Sequence, residues 1–79
     1  MISPAQCRAA RALLNWTREQ LAEQSRVSKM TLADFETAKR RPYDRTLADI
    51  RSALEEAGIE FIAENGGGAG LRFRERKAP

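Results

Sequence analysis

Apolar residues recur along this chain at two spacings. Between residues 3 and 58 the spacing is helical, and beyond residue 58 it alternates every second position. The first part predicts four helices. Ser3 is a natural N-cap, followed by Pro4 at the first helical position and Gln6 at the third. Cys7, Ala10, Leu13 and Leu14 then form one buried stripe on a helix ending near Asn15. Thr17, with Gln20 three places on, has capping-box spacing, and Trp16 just before it fits a hydrophobic staple against Leu21. That second helix turns Leu21 and Ala22 inward and leaves Arg18, Glu19, Glu23 and Gln24 in solvent. Ser28 caps a third helix, in which Leu32 and Phe35 share one side. Asp44 is expected to cap a fourth, with Leu47, Ile50, Leu54 and Ala57 as its apolar face and Gly58 as its end.

In the second part, Ile59, Phe61 and Ala63 alternate with Glu60, Ile62 and Glu64, and Leu71 and Phe73 with Arg72 and Arg74. Joined by the glycine-rich residues 65–70, these read as a β-hairpin. The glycine run has no Lys-Ser/Thr after it and opens no helix, so it does not read as a phosphate loop. An isolated hairpin is marginal in water, and Ile59, Phe61, Ile62, Leu71 and Phe73 are too apolar to stay exposed. A twofold homodimer in which two hairpins cover one another is the economical arrangement, with these five residues at its interface. The chain is thus expected to divide into a helical domain over 1–58, a hairpin over 59–74 and a disordered tail over 75–79.

Composition narrows the classes. A chain of 79 residues makes one small domain, and such a domain buries only about 60 to 65 percent of its unfolded surface, so a partner adds to its stability. Fourteen Lys and Arg against eleven Asp and Glu leave a net charge of +3, which suits a polyanion without demanding one. One cysteine allows no internal disulfide, and without histidine no zinc cluster is expected, nor any other metal or cofactor. A reducing cytoplasm fits. No basic segment followed by an apolar run opens the chain, and nothing approaches ~18 consecutive apolar residues, so neither a signal peptide nor a membrane span is expected. Catalysis is not expected either: Cys7 reads as a small core residue, and the acidic residues lie mostly on solvated helix faces.

Residues 17–36, TREQLAEQSRVSKMTLADFE, are therefore two short capped helices joined by a turn of about four residues. This is the helix-turn-helix arrangement, whose second helix can enter the major groove of double-stranded DNA. The outward face of that helix carries Lys29, Met30, Ala33, Asp34 and Thr37. Most of these are short or neutral, with one cation at the N-terminal end, so the face can approach another surface closely. In a major groove, Lys29 could donate to guanine O6 and N7, Met30 and the methyl of Thr31 or Thr37 could touch thymine methyls, and Asp34 could accept from cytosine N4. A solvated face and a protein-docking face are the two other readings. Lys39, Arg40 and Arg41, closed by Pro42, form the densest cationic run and sit where phosphates would lie on either side of the groove.

The run RALLNWTREQLAEQSRVSKMTLADFETAKRRP resembles the helix-turn-helix region of the Cro/C1 (XRE) class of prokaryotic transcriptional regulators. With the fourth helix, the resemblance covers about residues 5–58. It implies a mainly α, lambda-repressor-like four-helix bundle that binds operators as a dimer, here ending in a short hairpin where other members have a fifth helix. It also implies roles. Lys29, Met30 and Asp34 fall at base-reading positions. Arg18 stands where the family most often has a DNA-contacting glutamine and, with Thr17, Ser28 and Thr31, is expected at phosphates. Arg11 and Glu36 match an ion pair joining the first helix to the end of the third. Arg26 replaces the usual glycine between the two helices, and Ala38 replaces one after the third. A left-handed non-glycine residue costs roughly 1 to 2 kcal/mol, so the Arg26 turn is expected to be strained or differently shaped. The expected function is a sequence-specific regulator, most simply a repressor on a palindromic operator. The alternative is a protein-binding module on the same fold, such as an antitoxin or an antiactivator partner.

Overall fold

The computed structural model describes residues 2–64 and 66–75. Helix starts are set by side chains that satisfy the unpaired amides of the first turn. In α1 (Pro4–Leu14) the Ser3 hydroxyl accepts from the Gln6 amide at 3.1 Å, while Gln6 Oε1 accepts from the Ser3 amide at 2.9 Å. Thr17 and Gln20 repeat this reciprocal pair at the start of α2 (Arg18–Ser25), at 3.1 and 2.7 Å. Ser28 accepts from the Thr31 amide at 3.1 Å and opens α3 (Lys29–Glu36). The fourth helix departs from expectation. α4 (Asp44–Glu56) is preceded by Tyr43 with no side-chain cap, and Asp44 lies inside the first turn, where its charge favours the helix dipole and accepts from Arg41 at 3.1 Å.

Three helix ends are closed by left-handed residues that are not glycine: Asn15 (φ 57), Arg26 (φ 59) and Ala38 (φ 59). Asn tolerates this conformation; arginine and alanine pay in backbone strain. The turn between α2 and α3 therefore keeps the left-handed shape with Arg26 in it, and strain is the outcome there. After α3 the amide of Ala38 donates to Phe35 at 3.0 Å and that of Lys39 to Asp34 at 2.8 Å. This is the two-bond Schellman closure, built on alanine.

The core gathers Cys7 and Ala10 from α1, Leu21 from α2, Leu32 and Phe35 from α3, and Leu47, Ile50, Ala53 and Leu54 from α4, with Ile2, Val27 and Ile59. Leu14 and Trp16 pack on its edge. Leu13 does not join it and is 44% exposed, because six residues beyond Cys7 puts it ~120° round from Cys7, past Ala10 at the stripe's edge. Glu36, in contrast, is fully buried beside Leu32 and Phe35.

β1 (Ile59–Ile62) and β2 (Gly70–Phe73) pair antiparallel, with Ile59 opposite Phe73, Phe61 opposite Leu71 and Ile62 opposite Gly70. Gln6 Nε2 donates to the Gly70 carbonyl at 3.0 Å and ties β2 to α1. The face carrying Ile59, Phe61, Leu71 and Phe73 packs onto the chain's own core. Ile59 is completely buried there, so its side chain is not available to a second copy, contrary to its expected place at a dimer interface. Of the tail expected at 75–79, residues 76–79 lie outside the described residues. Among the described residues no helix is long and apolar enough to cross a membrane.

The strained turns predict their own relief. Glycine removes the ~1 to 2 kcal/mol steric cost but adds unfolded-state freedom worth ~0.5 to 1 kcal/mol. Arg26→Gly and Ala38→Gly should each stabilise the fold by about 0.5 to 1 kcal/mol, raising the thermal midpoint by a few degrees. Thermal unfolding followed by circular dichroism checks this.

Candidate nucleic-acid interface

A buried carboxylate positions the two helices of the motif. Glu36 has no exposed surface, and four hydrogen bonds reach its carboxylate. Arg11 donates from Nε to Oε2 at 2.8 Å and from Nη2 to Oε1 at 2.9 Å, Arg18 from Nε to Oε1 at 3.0 Å, and Cys7 Sγ to Oε2 at 3.1 Å. Arg8 donates to the Glu36 carbonyl. The carboxylate has about four lone-pair sites, and all are filled. Burial by itself raises the Glu36 carboxyl, but the bonds from Arg11, Cys7 and Arg18, with the Arg11 charge, prevail and hold it below its ordinary value. Cys7 moves the other way: burial, then its bond to Glu36 and that group's charge, push the thiol well above its usual range. It is a donor held protonated, not a nucleophile.

The expected ion pair of Arg11 and Glu36 is therefore present, and it is larger than expected, because Arg18 joins it. Nothing in a single charged residue announces this. The available signal was position: Glu36 lies four residues after Leu32 and one after Phe35, on the inward side of α3.

Outward, α3 presents Lys29 and Met30, the latter 75% exposed, with Thr31, Ala33 and Asp34 half-buried beside them. Two shallow hollows flank Met30. One is lined by Arg18, Glu19, Lys29, Met30 and Ala33, the other by Ser28, Met30, Thr31, Asp34, Arg40 and Pro42. Arg18, Ser28, Lys29, Met30, Thr31, Asp34 and Arg40 are thus brought together on one face. Thr17 lies beside Arg18 at the start of α2 and is spent on the cap. Lys39 and Arg41 are exposed after α3 and line neither hollow; Arg41 pairs with Asp44 at 3.1 Å. Glu19 is exposed, as expected, and its Oε2 lies 3.7 Å from Lys29 Nζ.

Short capped helices, a left-handed turn and an exposed short-chained second helix are the geometry of a DNA reader. The helix-turn-helix family model matches residues 8–60. The chain belongs to the Cro/C1-type (XRE) helix-turn-helix family. No curated protein matches it. Membership makes this helix-turn-helix protein a DNA-binding transcriptional regulator, and the four-helix bundle with its C-terminal hairpin agrees with the family fold.

The Glu36 cluster predicts a pH signature. Its native carboxyl titrates below the ordinary 4.5, so the folded chain binds fewer protons than the unfolded chain there. The stabilisation is complete above about pH 4.5 and is lost as pH falls through the lower native value. Glu36→Gln should cost about 3 kcal/mol at pH 7, by leaving Arg11 and Arg18 without their counter-charge. It should also remove that component of the acid-side loss. Urea unfolding of both proteins between pH 7 and pH 3 measures both effects.

Proposed function

We propose that this chain is a repressor that occupies a palindromic operator as a homodimer. The observation that carries this reading is the exposed, short-chained face of α3, set between Arg18 on one side and Ser28 and Arg40 on the other. Lys29, Met30 and Asp34 read base edges. Thr17, Arg18, Ser28, Thr31, Lys39, Arg40 and Arg41 contact phosphates and fix the register, with Arg18 anchored through Nε on Glu36 while its side chain stays 35% exposed. Repression follows from occupancy: a protein seated on a promoter operator excludes polymerase.

The dimer rests on the hairpin. With Ile59 committed to the core, and Phe61, Leu71 and Phe73 packed against it, the other face of the hairpin remains for a second copy. That face carries Ile62 and the pair Glu60–Arg72, at 3.2 Å. A twofold axis there would repeat the recognition helix about one DNA turn away, roughly 10 base pairs between half-site centres.

Titration with duplex DNA at several salt concentrations tests the DNA reading. Lys39→Ala with Arg40→Ala should weaken all sequences alike and flatten the salt slope by about two per protomer, about four for the dimer, whereas Lys29→Ala should cost about 1 to 3 kcal/mol per half-site on the preferred site and relax its selectivity. Absence of duplex binding even at low salt would sink this reading and favour the protein-docking module. For the dimer, Ile62→Asp should yield a folded monomer in sedimentation, with operator affinity reduced at least tenfold as the second half-site contact is lost. An unaltered dimer would move the interface away from the hairpin.

A further inference from the structure

The hollow between the start of α2 and α3 holds a pair of opposite charges of which the preceding reading uses only Lys29. Lys29 Nζ lies 3.7 Å from Glu19 Oε2, and the two side chains are 62% and 68% exposed. So exposed a pair adds little to stability. Both residues line the same hollow, whose apolar wall is Met30 and Ala33. A carboxylate there is unfavourable beside DNA phosphates unless a base donates to it.

A G·C pair suits this arrangement better than A·T, in which adenine N7 and thymine O4 are single acceptors on either side of the N6 donor. In the major groove guanine offers two adjacent acceptors, O6 and N7, and its cytosine offers the N4 donor. O6 and N4 are hydrogen-bonded to each other, so they lie about 3 Å apart. An ammonium and a carboxylate held side by side match that edge. We propose that Glu19 is a specificity-determining residue, accepting from cytosine N4 of the same G·C pair whose guanine Lys29 contacts. Met30 and Ala33 then meet the thymine methyl of the neighbouring pair. Glu19 also acts by exclusion: over any pair that turns an acceptor toward it, the carboxylate is repelled and Lys29 stays neutralised. The inference rests on the operator-binding reading and names the base pair which that reading leaves open.

Selection of bound sequences from a random duplex library, with the full chain and its Glu19→Gln and Lys29→Ala variants, tests it. The unaltered chain should select a G·C pair next to a thymine. Both variants should relax that same pair, reducing discrimination there roughly 5- to 100-fold. Glu19→Gln should in addition bind random duplexes more tightly than the unaltered chain, whereas Lys29→Ala should bind them more weakly. The proposal is overturned if Glu19→Gln leaves the selected sequence unchanged, or if the two variants relax different pairs. A lowered thermal midpoint with an unchanged selected sequence would also overturn it, and would leave Glu19 as a first-turn acid serving only the α2 dipole. Failure of the operator-binding reading looks different, because the unaltered chain would then select no sequence at all.

Discussion

A single carboxylate without solvent holds the three helices of the reading head in register. Glu36, at the end of α3, binds Arg11 and Cys7 of α1 and Arg18 of α2. Apolar contacts tolerate sliding and repacking at modest cost. A carboxylate with every lone pair engaged does not, because a shift of an ångström leaves buried charge unpaired. The angle of α3 against α2 is set by this cluster, and the outward face inherits it. Arg18 joins the two roles, with its Nε on Glu36 and its side chain still 35% exposed beside Lys29 and Met30.

That dependence is sharpened by the shortness of the elements. α2 and α3 have eight residues each, and isolated helices of that length are marginal in water. They persist because their first turns are capped, their ends are closed by left-handed residues, and α4 and α1 supply the surfaces on which α2 and α3 rest. Arg26 and Ala38 hold positive φ at the ends of α2 and α3, so some of the stability won by packing is spent on ending helices abruptly. The short turn this permits keeps Lys29 close to the start of α2.

What the sequence made legible follows from how local each signal is. Caps depend on residues three apart, and those of α1, α2 and α3 could be read directly; Asp44 was misplaced by one position because an acid suits both the cap and the first turn. Periodicity identified the face of α3 and the strands of the hairpin. It misjudged Leu13, since adjacent leucines both look like core until the stripe is phased from Cys7 and Ala10. Tertiary choices were harder. Five apolar hairpin residues were legible as needing cover, but not that Ile59 would find it in the chain's own core. The contact of Arg18 with Glu36 is hidden by their distance in sequence, and that of Glu19 with Lys29 by the turn between them.

The charge on the reading face suggests how affinity and discrimination divide. Three of its five cations already have carboxylate partners: Arg18 has Glu36, Lys29 has Glu19 and Arg41 has Asp44. Lys39 and Arg40 have none among the described residues. With so much of its charge offset, one protomer gains little from counterion release. On the proposed reading, weak attraction to arbitrary DNA follows, and the carboxylates of Glu19 and Asp34 on the face deepen it, since each is repelled unless a base donates to it. A surface built this way gains discrimination by giving up affinity. The proposed twofold pairing compensates through a second copy, which doubles the phosphate contacts and makes the second half-site encounter intramolecular.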